Sequence, residues 1–323
     1  MLSRRLALTS ALAAGVVTSA HAQDFPSRPL RLVVPYPPGG VGDTFARVLG
    51  ERLTARLGQQ VLIDNKPGAS QILGAQAALA APADGHTLYL GSVSSLAINT
   101  STQKTLPYDP LKSFAPVSLG FTGPLFLIVN NDVPAKNAAE LIAYGKANPG
   151  KLGFASIGPG SSLHLAGELF KAMAGIDMLH VPYKGSAPAL TDLLAGRVQI
   201  IFDAGTTSIG HARAGRVKAL GSSGLKRFAG TPDIPTIAES GLPGYEMEVW
   251  FGLVTHAGAP QAAVTRLSQE INAILSEPAL VARFLELGVQ LQPSTPQDFD
   301  TLIRREIPKW RKVALDDAKL VPE

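Results

Sequence analysis

Leu30-Arg31-Leu32-Val33-Val34-Pro35-Tyr36-Pro37-Pro38-Gly39-Gly40-Val41-Gly42-Asp43 is an apolar, β-branched run that breaks at a proline and glycine turn and then enters a segment of helical period. A strand that turns sharply into a helix, met repeatedly, is the mark of an α/β sheet, because parallel strands need a crossover between them. Working outward, hydrophobic period predicts a strand over 30–36, a helix over 43–57, a strand over 61–64, a helix over 72–81 and a strand over 88–91. After an extended, proline-interrupted passage a second series follows: strand 125–130, helix 137–147, strand 153–156, helix 162–174, strand 178–182 and helix 187–194. Strands at 198–202 and 217–221 complete it. Residues 245–254 read as extended, and helices are predicted over 261–275, 279–287 and 296–317. Pro308 removes a backbone donor inside the last of these and predicts a kink or division there.

Two α/β series with helices left over at the end describe a chain that leaves its first domain and later returns. The crossings are expected near Gly123-Pro124 and Phe251-Gly252, giving one domain from 23–122 with 252–323 and another from 123–251. Facing α/β domains enclose a cleft that a hinge can shut, since such sheets bind ligands beyond the carboxyl ends of their strands. A single continuous doubly wound sheet is the alternative that the pattern leaves open.

The N-terminus carries a different signal. Arg4 and Arg5 precede an apolar, alanine-rich run over 6–17, and Ala20-His21-Ala22 supplies a small-x-small cleavage site. That run is short of the roughly 20 residues of a spanning helix. Export to the periplasm with cleavage after Ala22 is therefore expected, and no Cys is present for a lipid tether. The same lack of Cys excludes disulfides, thiolate metal sites and Cys nucleophiles. Arg4 and Arg5 account for two of the net +4 charge, and the rest is scattered, unlike the clustered basic face of a nucleic-acid binder.

The turn at Pro35 to Asp43 leaves glycine amides free at a helix start, an arrangement suited to anions. It is not a dinucleotide fingerprint, because Phe45 stands where a third glycine belongs, and it lacks the Gly-Lys-Ser/Thr ending of a P-loop. On spacing alone, a plain strand-to-helix turn fits as well as a site. Asp43 reads as an N-cap. Ser156-Ile157-Gly158-Pro159-Gly160-Ser161-Ser162-Leu163-His164 repeats the design in the second series, with hydroxyls that can cap the helix or donate to a carboxylate. Two such starts, one per domain, could grip opposite ends of one dianion.

Enzyme signatures are weak. Neither Gly-x-Ser-x-Gly nor His-Glu-x-x-His occurs; Ser101-Thr102-Gln103-Lys104 and Ser223-Gly224-Leu225-Lys226 fit Ser-x-x-Lys but lack its companion motifs. His86, His164, His180, His211 and His256 show no ligand spacing, so no metal or cofactor is expected.

Five ordered motifs carry a resemblance: Val34-Pro35-Tyr36-Pro37-Pro38-Gly39-Gly40-x-x-Asp43, Lys66-Pro67-Gly68-Ala69, Ala83-Asp84-Gly85-His86-Thr87-Leu88, His180-Val181-Pro182-Tyr183-Lys184-Gly185 and Leu194-Ala195-Gly196-Arg197-Val198. Together they resemble the Bug receptors, the substrate-binding proteins of tripartite tricarboxylate transporters, over about 25–319. The resemblance implies a type II periplasmic-binding-protein fold, a monomeric receptor for di- or tricarboxylates, acidic amino acids or aromatic acids, and delivery to a membrane permease. A receptor that presents its ligand to a membrane histidine kinase would use the same cleft. By position it implies contacts from Tyr36, Pro38, Gly39, Gly40, Val41, Asp43 and Thr44, from Ser70 and Gln71, from Ser156, Ser161, Ser162 and His164, and from Tyr183, Lys184, Gly185, Ser186 and Asp203. Asp203 would receive backbone N–H groups or pair with a ligand ammonium. Where the family pattern has Gly-Gly and a polar residue, this chain has Ser70-Gln71-Ile72, which implies a narrower wall suited to a compact or planar acid.

Overall fold

The structure is a computed structural model that describes residues 25–322. The export signal and its cleavage site lie outside the described residues.

The chain first builds β1 (Leu30–Val34), α1 (Val41–Leu57), β2 (Val61–Asn65), α2 (Ile72–Leu79) and β3 (Thr87–Ser92). Leu30, Leu32, Val33 and Val34 are all buried, as expected of a parallel strand covered on both faces. Short helices α3 (Asn99–Thr102) and α4 (Pro110–Ser113) lead into β4 (Phe114–Val129). The second series is α5 (Ala138–Ala147), β5 (Leu152–Ser156), α6 (Ser162–Ala174), β6 (Met178–Pro182), α7 (Ser186–Leu194), β7 (Ile200–Ala204), α8 (Gly205–Arg213) and β8 (Lys218–Ser222). The return comprises β9 (Glu248–His256), α9 (Gln261–Leu275), α10 (Pro278–Glu286), β10 (Gln290–Leu291) and α11 (Pro296–Lys312).

β4 is the structural hub. Its first part, through Pro124, pairs antiparallel with β9 in a sheet ordered β2-β1-β3-β9-β4, with β10 on the far side of β4. From Leu125 to Val129 the same strand changes partners and pairs with β7 and β8 in a second sheet, where β5 and β6 continue beyond β7. Two α/β lobes therefore share one strand, and Gly123-Pro124 is where it passes between them. On the way back, Val249 already opposes Gly123, so β9 lies in the first sheet throughout, Phe251 included.

Several elements differ from expectation for identifiable reasons. The passage read as merely extended is the first part of β4; Pro116, Gly120 and Pro124 disguise it, and register shifts at Pro116/Ser118 and Leu119/Phe121 accommodate the irregularity. α8 was not predicted, because Gly-Thr-Thr-Ser-Ile-Gly-His-Ala-Arg has poor helix propensity and is held by docking of Ile209 instead. α11 runs through Pro308 undivided, ends at Lys312 and gives way to a wider turn over Val313–Asp317. Its amphipathic face buries Phe299, Ile303 and Trp310, and this packing outweighs the lost backbone bond.

Candidate functional site

Four helices begin at the seam between the lobes. α1 follows Gly40 in the first lobe; α6, α7 and α8 follow Ser161, Gly185 and Ala204 in the second. Each start leaves N–H groups without intrahelical partners and carries the positive end of the helix dipole. The cap of α6 is Ser161, whose side chain accepts from the His164 N–H at 3.3 Å.

An inner cavity of about 30 Å³ lies among these starts. Its apolar walls include Tyr36, Leu125, Ile157, Leu163, Val249 and Phe251, while Gly40, Val41, Ser162, Ser186 and Asp203 supply polar groups. Phe251 stacks on Phe121 at 4.4 Å and tilts against Tyr36 at 5.6 Å, which fixes the wall. Asp203 is fully buried and neither carboxylate oxygen has a well-directed hydrogen bond. Burial lifts its pKa to about 6, and nearby donors on Ser186, Ala204, Thr207 and Ser208 keep it from rising further.

Outside this cavity, an open groove of about 600 Å³ follows the seam between Gly68-Ala69-Ser70 and the Ile157-Gly158-Pro159 turn, with Tyr183 and Lys184 along it. The lobes are in contact here. The Ser70 hydroxyl donates to the Pro159 carbonyl, and the Ser162 N–H donates to Ser94 Oγ at 3.0 Å. Gly185 lies against Pro37 so closely that a Cβ would come within 2.3 Å of its ring. The inner cavity is about tenfold smaller than ordinary ligand pockets.

The residues implied by sequence fall into three groups. Tyr36, Gly40, Val41, Ser162, Ser186 and Asp203 meet at the inner cavity. Ser70, Tyr183 and Lys184 line the outer groove. The rest are engaged locally or face solvent. Asp43 is not the N-cap of α1, which is Gly40; the helix starts two residues earlier than predicted. The Asp43 carboxylate instead accepts from the Gly39 N–H (3.0 Å), Arg47 (3.0 Å) and Asn65 (2.9 Å), and these bonds outweigh burial and hold its pKa down. Pro38 and Gly39 face solvent, and Thr44 N–H closes the first helical turn onto Gly40. Gln71 points behind the seam, where its Oε1 accepts from Ser92 at 2.8 Å. Gly185 spends its surface on Pro37. Ser156 and His180 share a 2.6 Å hydrogen bond, His164 Nδ1 accepts from the Gly160 N–H at 3.0 Å, and the two imidazoles stack at 3.9 Å. Burial pushes His164 down to about 3 and His180 down to about 4, so the pair is neutral.

Ser94, Leu125, Val249 and Phe251 were missed. Ser94 lies in an irregular helical stretch after β3 that no pattern announces, and the other three reach the seam only because β4 passes from one sheet to the other there, with Gly123 opposite Val249 and Phe121 opposite Phe251 in the first and Leu125 opposite Ala204 in the second. Among the described residues no cluster of His, Asp or Glu is placed to hold a metal, and no helix is long and apolar enough to cross a membrane.

Two α/β lobes on a shared strand, with helix starts facing each other across the seam between them, have the architecture of a solute-binding receptor of the periplasmic type. The profile of the tripartite tricarboxylate transporter family receptors matches residues 45–317, and the chain belongs to that family. It is 39% identical over 319 residues to the protein of the tcbD-tcbE intergenic region of Pseudomonas sp. (strain P51), covering 98% of this chain and 95% of the relative. It is 36% identical to BugT of Bordetella pertussis, covering 93% and 92%. Among solved structures, R. palustris Rpa4515 with adipate superposes with a TM-score of 0.90 at 36% identity, over 93% of this chain and 100% of that one. MatC from Rhodopseudomonas palustris with bound malate gives 0.85 at 31%, over 90% and 99%. The family consists of substrate-binding receptors, not enzymes, and the fold is the two-domain binding-protein fold that the sequence implied.

Proposed function

We propose that this receptor captures a small organic dianion between its lobes and hands it to the permease subunits of a tripartite tricarboxylate transporter. The observation that carries the reading is the inner cavity itself, where the start of α1 in one lobe and the start of α6 in the other face a common space through Gly40, Val41 and Ser162. Each dipole favours an anion by about 0.3–1 kcal/mol, and direct hydrogen bonds add to it. Tyr36, Gly40, Val41, Ser162, Ser186 and Asp203 contact the ligand, and Ser70, Tyr183 and Lys184 guard its outer end. Relatives holding adipate and malate favour a short dicarboxylate here as well. The protein acts in the periplasm as a monomer after cleavage at Ala22. Its lobes part about the β4 passage near Gly123 and the return ahead of β9 at Glu248 to admit the ligand, so that 248–251 move with the first lobe and not with the second.

A thermal-shift screen of carboxylates tests this. A ligand at 100 times its dissociation constant adds roughly 2.7 kcal/mol of stability. Small-angle scattering with the same ligand should show a smaller radius of gyration. If no di- or tricarboxylate shifts the melting temperature, the dianion reading is wrong.

A further inference from the structure

We propose that Asp203 is a specificity-determining residue, and that the acid taken up bears a hydrogen-bond donor, a hydroxyl or an ammonium, next to the carboxylate that enters the inner cavity. This rests on the carboxylate-receptor reading above and narrows it. Asp203 stands next to last in β7 and opens onto the cavity, wholly buried, and neither oxygen has a well-directed hydrogen bond although Ser186, Ala204, Thr207 and Ser208 lie nearby. Proteins rarely leave a buried carboxylate in this condition, because the lost hydration must be replaced by donors.

The chemistry around it is asymmetric. The other polar groups at the cavity are the hydroxyls of Ser162 and Ser186 and the backbone at Gly40 and Val41, all able to donate to an anion. Asp203 is the one carboxylate among them. An unsubstituted diacid would satisfy the donors and set its own charge beside that of Asp203, a repulsive pairing at low local dielectric. An acid with a 2-hydroxyl or 2-ammonium satisfies both, placing its carboxylate on the helix starts and its donor on Asp203. Among the described residues no charged side chain relieves Asp203. Lys184 lies in the outer groove, His211 and Arg213 stand at the far end of α8, and His164 is bonded to the Gly160 N–H. A pKa held near 6 still leaves Asp203 mostly an acceptor at neutral pH.

Titration calorimetry on the purified protein at pH 7.5 would compare two matched sets: succinate, malate and aspartate, then adipate, 2-hydroxyadipate and 2-aminoadipate. In at least one set, the donor-bearing acids should bind about tenfold more tightly than the unsubstituted one. Asp203→Ala should reduce that ratio to about twofold or less, and Asp203→Asn, whose amide can donate, should raise the affinity of the unsubstituted acid. If the unsubstituted acids bind as well as or better than their substituted partners, or if the preference survives both substitutions, Asp203 does not set selectivity while the receptor reading stands. If none of the six acids binds, both the receptor reading for short diacids and this refinement fall together.

Discussion

Ser70 stands at φ 48°, ψ 42° between Ala69 at φ 45° and Gln71 at φ 78°, three successive residues with side chains in left-handed backbone. Such a conformation costs an L-residue roughly 1–2 kcal/mol. Replacing Ser70 with Gly removes most of that strain and gives back about 0.4–1 kcal/mol through a more disordered unfolded chain, so the folded protein should gain up to about 1 kcal/mol. The bond from Asn99 Nδ2 to the Ser70 carbonyl, 2.9 Å, is untouched by the change. What is lost is the hydroxyl bond to Pro159, which exists only while the lobes touch. One neutral hydrogen bond contributes about 1 kcal/mol, so ligand affinity should fall about fivefold while stability holds or rises. Ser70→Ala provides the control: it keeps the strain, loses the bond, and should weaken binding equally without the stability gain. Urea unfolding and calorimetry on the three proteins separate the effects. Unchanged affinity in both variants would show that this contact does not help to hold the lobes together.

Gly40→Val should leave the fold intact, because Gly40 sits at φ −83°, ψ 174° with Pro37 O at 3.9 Å as the nearest atom to a new Cβ; its branched methyls would crowd the cavity wall and reduce affinity about tenfold by calorimetry. Asp203→Asn should stabilise the protein at pH 7 by on the order of 2 kcal/mol. The wild-type group binds its proton more tightly folded than unfolded, so stability declines as pH rises from about 4 to about 6, and the gain seen in urea melts should vanish below pH about 4. His164 and His180 shift the other way. They stay neutral when folded but take up protons when unfolded below pH about 6.5, so stability should fall as pH drops from there toward about 4; His180→Asn should flatten that slope, and an unchanged slope would place the acid sensitivity elsewhere.

The sequence by itself determined the sequential architecture. Apolar period and the proline-glycine turns located β1, α1, α6, β6 and α9 to within two residues, because each is built on local signals: a β-branched run, a hydroxyl or glycine cap, a 3.6-residue stripe. It also marked the two turns from which Gly40 and Ser162 reach the cavity. It missed the uninterrupted course of β4, since prolines and glycines that normally end strands are tolerated where pairing with β9 and bulges absorb them. The division of labour among candidate side chains was likewise invisible. Whether a carboxylate at a helix start is free or bound depends on residues distant in the chain, as Asn65 is to Asp43, so only the tertiary structure could show Asp43 engaged and Asp203 unpartnered. The contact of Ser94 with Ser162 spans two lobes and rests on no periodicity, because hydrogen bonding across a seam depends on distances that the folded sheets alone set.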